Sequence, residues 1–337
     1  MSNATNTQVL LNSRPKGIPQ AENFTISECP IIPPKDGQVL IRNHYLSVEP
    51  AMRGWICDAG NYSEPVGINT VMRSLAVGEI IESKSPDYHV GQHVLGMFGW
   101  QSHTTTDAAN IDRVIDTSQL PISTALGILG INGLAAYFAL LEVGLPKPGD
   151  TVLVSTAAGA VGSCVAQIAK IKGCKTIGIT SSPEKIELCI NEFGYDQAVS
   201  YNSPNFVEEL ANACADGIDV YFDNTAGRIS DAALTLLNQR ARVVICGTAS
   251  ISQWSPIPLG PRVERHLLVK RARMEGFVIF DYADRYHEGV KQLSEWILEG
   301  RLHYREEIKH GIEEAPDSIA ALYRGDNLGK RLIKLAD

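Results

Sequence analysis

The sequence predicts an α/β protein: a doubly wound parallel sheet joined to a second, β-rich domain. Three observations carry that prediction. A chain of 337 residues is too long for one ordinary core and points to about two domains. Roughly the first 120 residues hold short β-type runs broken by Gly and Pro, the spacing of a compact antiparallel domain. Beyond residue 150, short apolar β-branched runs alternate with helical patterns, which implies a parallel sheet with helices on both faces.

Taken in order, residues 38–42, 76–81 and 90–96 are β-type runs of the first part. Residues 126–144, LGILGINGLAAYFALLEVG, read as an apolar helical stretch. PKPGD at 146–150 then makes a turn, because Pro fixes φ and Gly tolerates positive values. The wholly apolar run 151–154 suits a strand covered on both faces. Helix 163–172, strand 176–180, helix 183–193, strand 220–223, helix 229–237 and strand 242–246 follow. A late strand at 274–280 and a closing helix at 286–298 complete the alternation. The tail contains a β run, a helix near 316–323 and a strand at 330–335. It is too short to be a domain alone, so it is expected to pack back on the first. The expected boundaries are 1–127 completed by 301–337 for the β-rich domain, and 128–300 for the parallel sheet.

Composition narrows the function. An apolar fraction of 44% and a charged fraction of 20% are those of a soluble globular protein. The net charge of −8 disfavours nucleic acid, since the summed field repels a polyanion. The start MSNATNTQVLLNSRP has no basic segment followed by a long apolar run, and no stretch is long enough to span a bilayer. Seven cysteines, at 29, 57, 164, 174, 189, 214 and 246, have no CxxC pairing and fit reduced core residues of a cytoplasmic protein.

The most informative segment is Ala157-Ala158-Gly159-Ala160-Val161-Gly162, placed between a strand and a helix. Such a turn delivers the chain to a helix N-terminus, where unpaired N–H groups and the positive dipole end meet an anion. Gly159 lets the turn tighten and Gly162 lets helix and strand pack closely. The end of the next strand selects the dinucleotide. Where an NAD site commonly places an acid for the ribose 2′-hydroxyl, this chain has Thr180-Ser181-Ser182, with Lys185 one helical turn on. Hydroxyls and a cation suit a 2′-phosphate, hence NADPH. The eight histidines (44, 89, 93, 103, 266, 287, 303, 310) make no ligand-spaced pair beyond His89/His93. That argues against a catalytic or structural zinc.

AAGAVGS (157–163), SSPEK (181–185), Tyr221-Phe222-Asp223-Asn224, MEGF (274–277) and GDNLGK (325–330) occur in that order. With EPAMRG (49–54) and HYREEI (303–308), they resemble the medium-chain dehydrogenase/reductases, and within them the zinc-independent alkenal/one double-bond reductases. The likeness runs from about Val39 to Leu335. It implies a GroES-like first domain, a Rossmann second domain, a cleft between them and a homodimer. The implied reaction reduces a C=C bond conjugated to a carbonyl, in an enal or enone.

By motif position, Ala160 to Ser163 would lie on the pyrophosphate and Tyr201 on the adenosine side. Asn224, Cys246, Gly247, Thr248, Ser252, Phe277, Val278 and Asn327 would line the rest of the cofactor. Met52, Arg53 and Trp254 would face substrate, and Tyr62, just after the MRG segment, would donate a hydrogen bond or proton. Two departures bear on substrate range: Val269 and Trp254 stand where relatives often carry tyrosine. Two alternatives stay open, an NADPH:quinone oxidoreductase and a non-catalytic NADPH-binding protein.

Overall fold

Alternating β-branched residues with one buried face fold the first part of the chain into antiparallel ladders. The computed structural model describes residues 5–58, 62–251, 256 and 258–335. The backbone divides into two units: one ends at Leu126 and resumes at Glu306, and the other runs Gly127–Arg305.

In the first unit β1 (Thr5–Leu11) pairs antiparallel with β2 (Phe24–Pro30). The long β3 (Gln38–Ser47) is followed by the short α1 (Met52–Trp55). Next come β4 (Ala76–Ser83), β5 (His93–Gly96), β6 (His103–Asp107) and β7 (Ile111–Val114). β3 pairs with β4 and β6, β4 with β5, and β5 with β7, all antiparallel. Val39, Ile41, Leu46, Ile80, Val94 and Trp100 are buried together between them.

The second unit opens with α2 (Ile131–Phe138), which widens into a π-helical segment at Ala139–Gly144. The expected single helix over 126–144 is thus interrupted; Gly127 and Gly130 lower helix propensity there. The alternation that follows is β8 (Thr151–Ser155), α3 (Ala160–Ile171), β9 (Lys175–Thr180), α4 (Pro183–Asn191) and β10 (Gln197–Ser200). It continues with α5 (Phe206–Ala213), β11 (Ile218–Asp223), α6 (Gly227–Leu234) and β12 (Leu237–Ile245). It closes with α7 (Glu264–Lys270), β13 (Arg273–Gly276) and α8 (Tyr286–Leu298).

Among the described residues the sheet order is β10-β9-β8-β11-β12-β13, every pair parallel. Counted within the sheet this is 3-2-1-4-5-6, the doubly wound dinucleotide-binding order. All five residues of β8 are buried, as a strand covered on both faces requires.

Two further expectations need correction, and three elements were not expected. Leu237 opens β12 rather than closing a helix, because it is fully buried opposite Ile218 of β11. The late strand stops at Gly276, and Ile279–Arg285 turns as a 3-10 segment. β10, α5 and α7 had no counterpart in the sequence reading: β10 is short and polar at both ends, and α7 has no buried residue to set a periodicity.

The chain then returns to the first unit through β14 (Glu306–His310), α9 (Ala315–Arg324) and β15 (Lys330–Lys334). β14 and β15 are parallel, and β15 pairs antiparallel with β3. A buried ion pair fastens this return: Lys330 Nζ lies 2.5 Å from Glu49 Oε1 and donates to Ser47 Oγ at 2.8 Å and the Val48 carbonyl at 3.0 Å. Among the described residues no helix is long and apolar enough to cross a membrane.

Candidate functional site

After β8 comes Thr156, whose φ of 55° lies in the left-handed region. From there the chain tightens: the Gly159 amide donates to the Thr156 carbonyl at 2.9 Å, and Gly159 caps α3. Gly162 is required by contact. A Cβ there would sit 2.3 Å from the Thr156 carbonyl oxygen and 2.9 Å from Ala157 Cα. From the other side Tyr195 donates its hydroxyl to the Gly162 carbonyl at 2.8 Å, and burial raises that phenol's pKa so that it stays a donor. Gly159, Ala160 and Val161 are half-buried at the helix start. The Ser163 amide is already used, bonding the Gly159 carbonyl at 3.0 Å, and its hydroxyl is buried. An anion on this helix end therefore meets the amides that precede Ser163.

At the end of β9, Thr180 is buried, and Ser182 caps α4 by accepting from the Lys185 amide at 3.3 Å. The Ser181 carbonyl accepts from Ser200 Oγ at 3.2 Å and Asn202 Nδ2 at 2.9 Å, which stitches the ends of β9 and β10 together. The Tyr201 amide donates to the Thr180 carbonyl at 2.9 Å. Arg228, which the sequence reading did not single out, donates from its guanidinium to the Tyr201 carbonyl. Only the packing of α6 brings that cation here.

The other half of the sheet supplies Asn224 after β11, Cys246, Gly247 and Thr248 after β12, and Phe277 and Val278 after β13. The Cys246 and Gly247 amides donate to the Asp223 carbonyl at 2.8 and 3.1 Å. Burial, followed by the Asp223 carboxylate, pushes the Cys246 thiol up to about 12, so it is no nucleophile at neutral pH. The Phe277 ring lies 5.2 Å from Tyr282, which stacks at 5.1 Å on Phe138. Since all these strands are parallel, their carboxyl ends form one edge. That edge carries the glycine turn, the segment 180–185 and Tyr201 on one side of the β8/β11 junction, with Asn224 and the later residues on the other. The residues present fit a dinucleotide.

In the first unit Met52 is fully buried in the core and leaves no surface for a ligand. Arg53 holds its guanidinium 4.5 Å over the Tyr323 ring, and Tyr323 donates to the Pro50 carbonyl at 2.9 Å. Burial pushes the Tyr323 phenol up to about 12, against the lowering charge of Arg53. Tyr62 itself is 55% exposed. Asn327 follows α9 and donates from Nδ2 to the Gly329 carbonyl at 2.8 Å. Ser252 and Trp254 lie outside the described residues. Among the described residues no group of three His, Cys, Asp or Glu side chains could hold a metal ion.

Residues 7–114 match the family described as the N-terminal domain of oxidoreductase, and residues 160–297 match the zinc-binding dehydrogenase family. The chain is 45% identical to the putative NADP-dependent oxidoreductase YfmJ of Bacillus subtilis, over 99% of both chains. It is 41% identical to the NADPH-dependent curcumin reductase of Escherichia coli, over 98% of this chain and 97% of that one. The crystal structure of CurA in complex with NADPH from Vibrio vulnificus superposes with a TM-score of 0.93 at 40% identity, covering 99% of this chain and 100% of that one. With such identity over almost its whole length, the chain belongs to the medium-chain dehydrogenase/reductases of the alkenal reductase type.

Proposed function

We propose that this protein, an NADPH-dependent oxidoreductase, reduces the C=C bond of α,β-unsaturated aldehydes and ketones. The cofactor half of this reading is supported by one observation: the carboxyl edge of the parallel sheet carries both the glycine turn after β8 and, after β9, the segment with Ser181, Ser182 and Lys185. The substrate half is supported by the family motifs and by the likeness to a curcumin reductase over nearly the full chain. When bound, NADPH supplies a hydride for the β-carbon. The protein's tasks are then three: to hold the nicotinamide over the double bond, to stabilise the enolate oxygen, and to pass a proton to the α-carbon.

In this reading the amides of Ala160, Val161 and Gly162 take the pyrophosphate. Ser181 and Lys185 take the 2′-phosphate, Thr180 being buried, and Tyr201 flanks the adenosine. We assign the enolate hydrogen bond to Tyr62, because it follows the MRG segment at the place the family resemblance gives the donor, and it is exposed.

The test follows NADPH oxidation with a 2-alkenal, an alkenone and a quinone. Turnover with the alkenal or alkenone supports the reading, and turnover with the quinone alone replaces it by quinone reduction. Tyr62→Phe should lower kcat about 100-fold, the usual scale of a lost proton-transfer or oxyanion donor, with NADPH affinity unchanged. Undiminished turnover in that variant removes Tyr62 from the chemistry.

A further inference from the structure

Two unfavourable features coincide at the carboxyl end of β11. Asp223 is 1% exposed, and among the described residues no Lys, Arg or His pairs with it. Burying a carboxylate is costly unless hydrogen bonds replace its water. Here they do. Oδ1 accepts from Ser155 Oγ at 3.2 Å, the Thr225 amide at 2.9 Å, Thr225 Oγ1 at 3.2 Å and the Ala226 amide at 2.9 Å. Oδ2 accepts from the Ser230 hydroxyl, whose oxygen lies 3.1 Å from the Tyr221 hydroxyl. The second feature is Ala226, at φ 60° and ψ −163°, a region essentially reserved for glycine. Asp223 grips this residue by its amide, and Ser250 grips it from the other side, donating from Oγ to the Ala226 carbonyl at 3.0 Å. The Ser250 amide and hydroxyl also reach the Thr225 carbonyl, at 2.9 and 2.8 Å.

The consequence falls on Asn224. Its amide donates to Ser155 Oγ at 2.8 Å and its Nδ2 to the Ser155 carbonyl at 2.7 Å. Ser155 ends β8, and the β8/β11 junction is where the strand order reverses. In such sheets the crevice outside this junction receives the dinucleotide, one nucleotide on each half. The hydroxyl–lysine cluster ends β9, so the adenosine side is the β8–β10 half and the nicotinamide nucleotide falls on the β11–β13 half. A turn that only connected β11 to α6 would need neither an alanine in glycine territory nor a buried carboxylate without a cation. Strain and buried charge held together at a ligand-binding junction mark a geometry kept for the ligand.

The geometry points to Asp223 as a positioning residue: through Ser155, Thr225 and Ala226 it holds Asn224 and its turn in the shape that receives the nicotinamide nucleotide of NADPH. This inference rests on the cofactor reading above. Asp223 itself need not touch the cofactor.

The test compares two ligands on the full chain by calorimetry: NADPH, and adenosine 2′,5′-bisphosphate, which lacks the nicotinamide nucleotide. Asp223→Asn keeps the size of the side chain and an acceptor for the four Oδ1 donors, but weakens that acceptor and forces the Ser230 hydroxyl to accept instead of donate. It should raise Kd for NADPH about tenfold or more while Kd for the bisphosphate stays within about twofold. Equal weakening of both ligands would mean a general loosening of the unit and overturn the inference, as would no weakening of either. Should Asp223→Asn not fold, Ser230→Ala removes only the Oδ2 donor and should show the same selective loss, about threefold. Selective loss in that variant supports the inference, and equal or absent loss overturns it. A wild-type chain that binds neither ligand would overturn the cofactor reading, and this inference with it.

Discussion

Lys185 shows how a single residue can be legible before the structure and still need it. Its type and its place one helical turn past the second strand propose it for a 2′-phosphate, and the structure adds why it stays near the end of β9. Ser182 caps α4 through the Lys185 amide, so the lysine belongs to the first, ordered turn of that helix. Lys185→Ala should raise Kd for NADPH about tenfold and leave Kd for NADH nearly unchanged, since only NADPH carries the phosphate. Titration of both nucleotides by fluorescence checks it; equal losses would detach the lysine from the 2′ position. Arg228 and Tyr323 were not legible in this way. Neither lies in a recognisable spacing, and each acquires its role only when α6 or α9 packs.

At the scale of elements, the strand–turn–helix of β8 and α3 is the best-determined part of the molecule. The glycine at 162 follows from sequence, but the contact that demands it is tertiary: the helix start crosses the Thr156 carbonyl so closely that no Cβ fits. Gly162→Ala must push α3 away from β8, and should cost about 2 kcal/mol of stability, the usual scale for overpacking a closed site. The same displacement should abolish NADPH binding, because the phosphate amides move with the helix. Urea unfolding together with nucleotide titration tests this. A variant of wild-type stability that binds NADPH normally would show that the close approach relaxes without consequence. Elements at the sheet's margins were less legible. β10 is four residues long, and α7 has no buried residue, so neither imposes a hydrophobic period on its sequence.

On the scale of the whole molecule, the chain leaves its first unit at Leu126 and comes back at Glu306, and the return is built on charge as well as on strands. Glu306 stands opposite Lys330 in the β14–β15 register. Burial raises the Glu306 carboxyl above its ordinary 4.5, more than Ser123 and Lys330 lower it. A carboxyl whose folded pKa exceeds its unfolded one favours the folded state most at low pH, where it is neutral in both states. That contribution is lost as pH rises from the unfolded value through the folded one. Wild-type stability should therefore carry a falling component across this window, and Glu306→Gln, neutral throughout, should remove it. Unfolding midpoints in urea from about pH 4 to about pH 8 make the comparison, and parallel curves for the two proteins would sink the assignment.

By itself, the sequence determined the parallel sheet and the choice of NADPH, and it marked the glycine turn proposed for the phosphate. Each of these is written in local patterns: apolar β-branched runs, a glycine spacing, and hydroxyls beside a lysine. Only the tertiary structure decided that Met52 is core, that Asp223 is buried without a cation, and that Ala226 sits strained beside it. Those facts depend on which distant segments meet, and burial and strain arise from that meeting rather than from any neighbour along the chain.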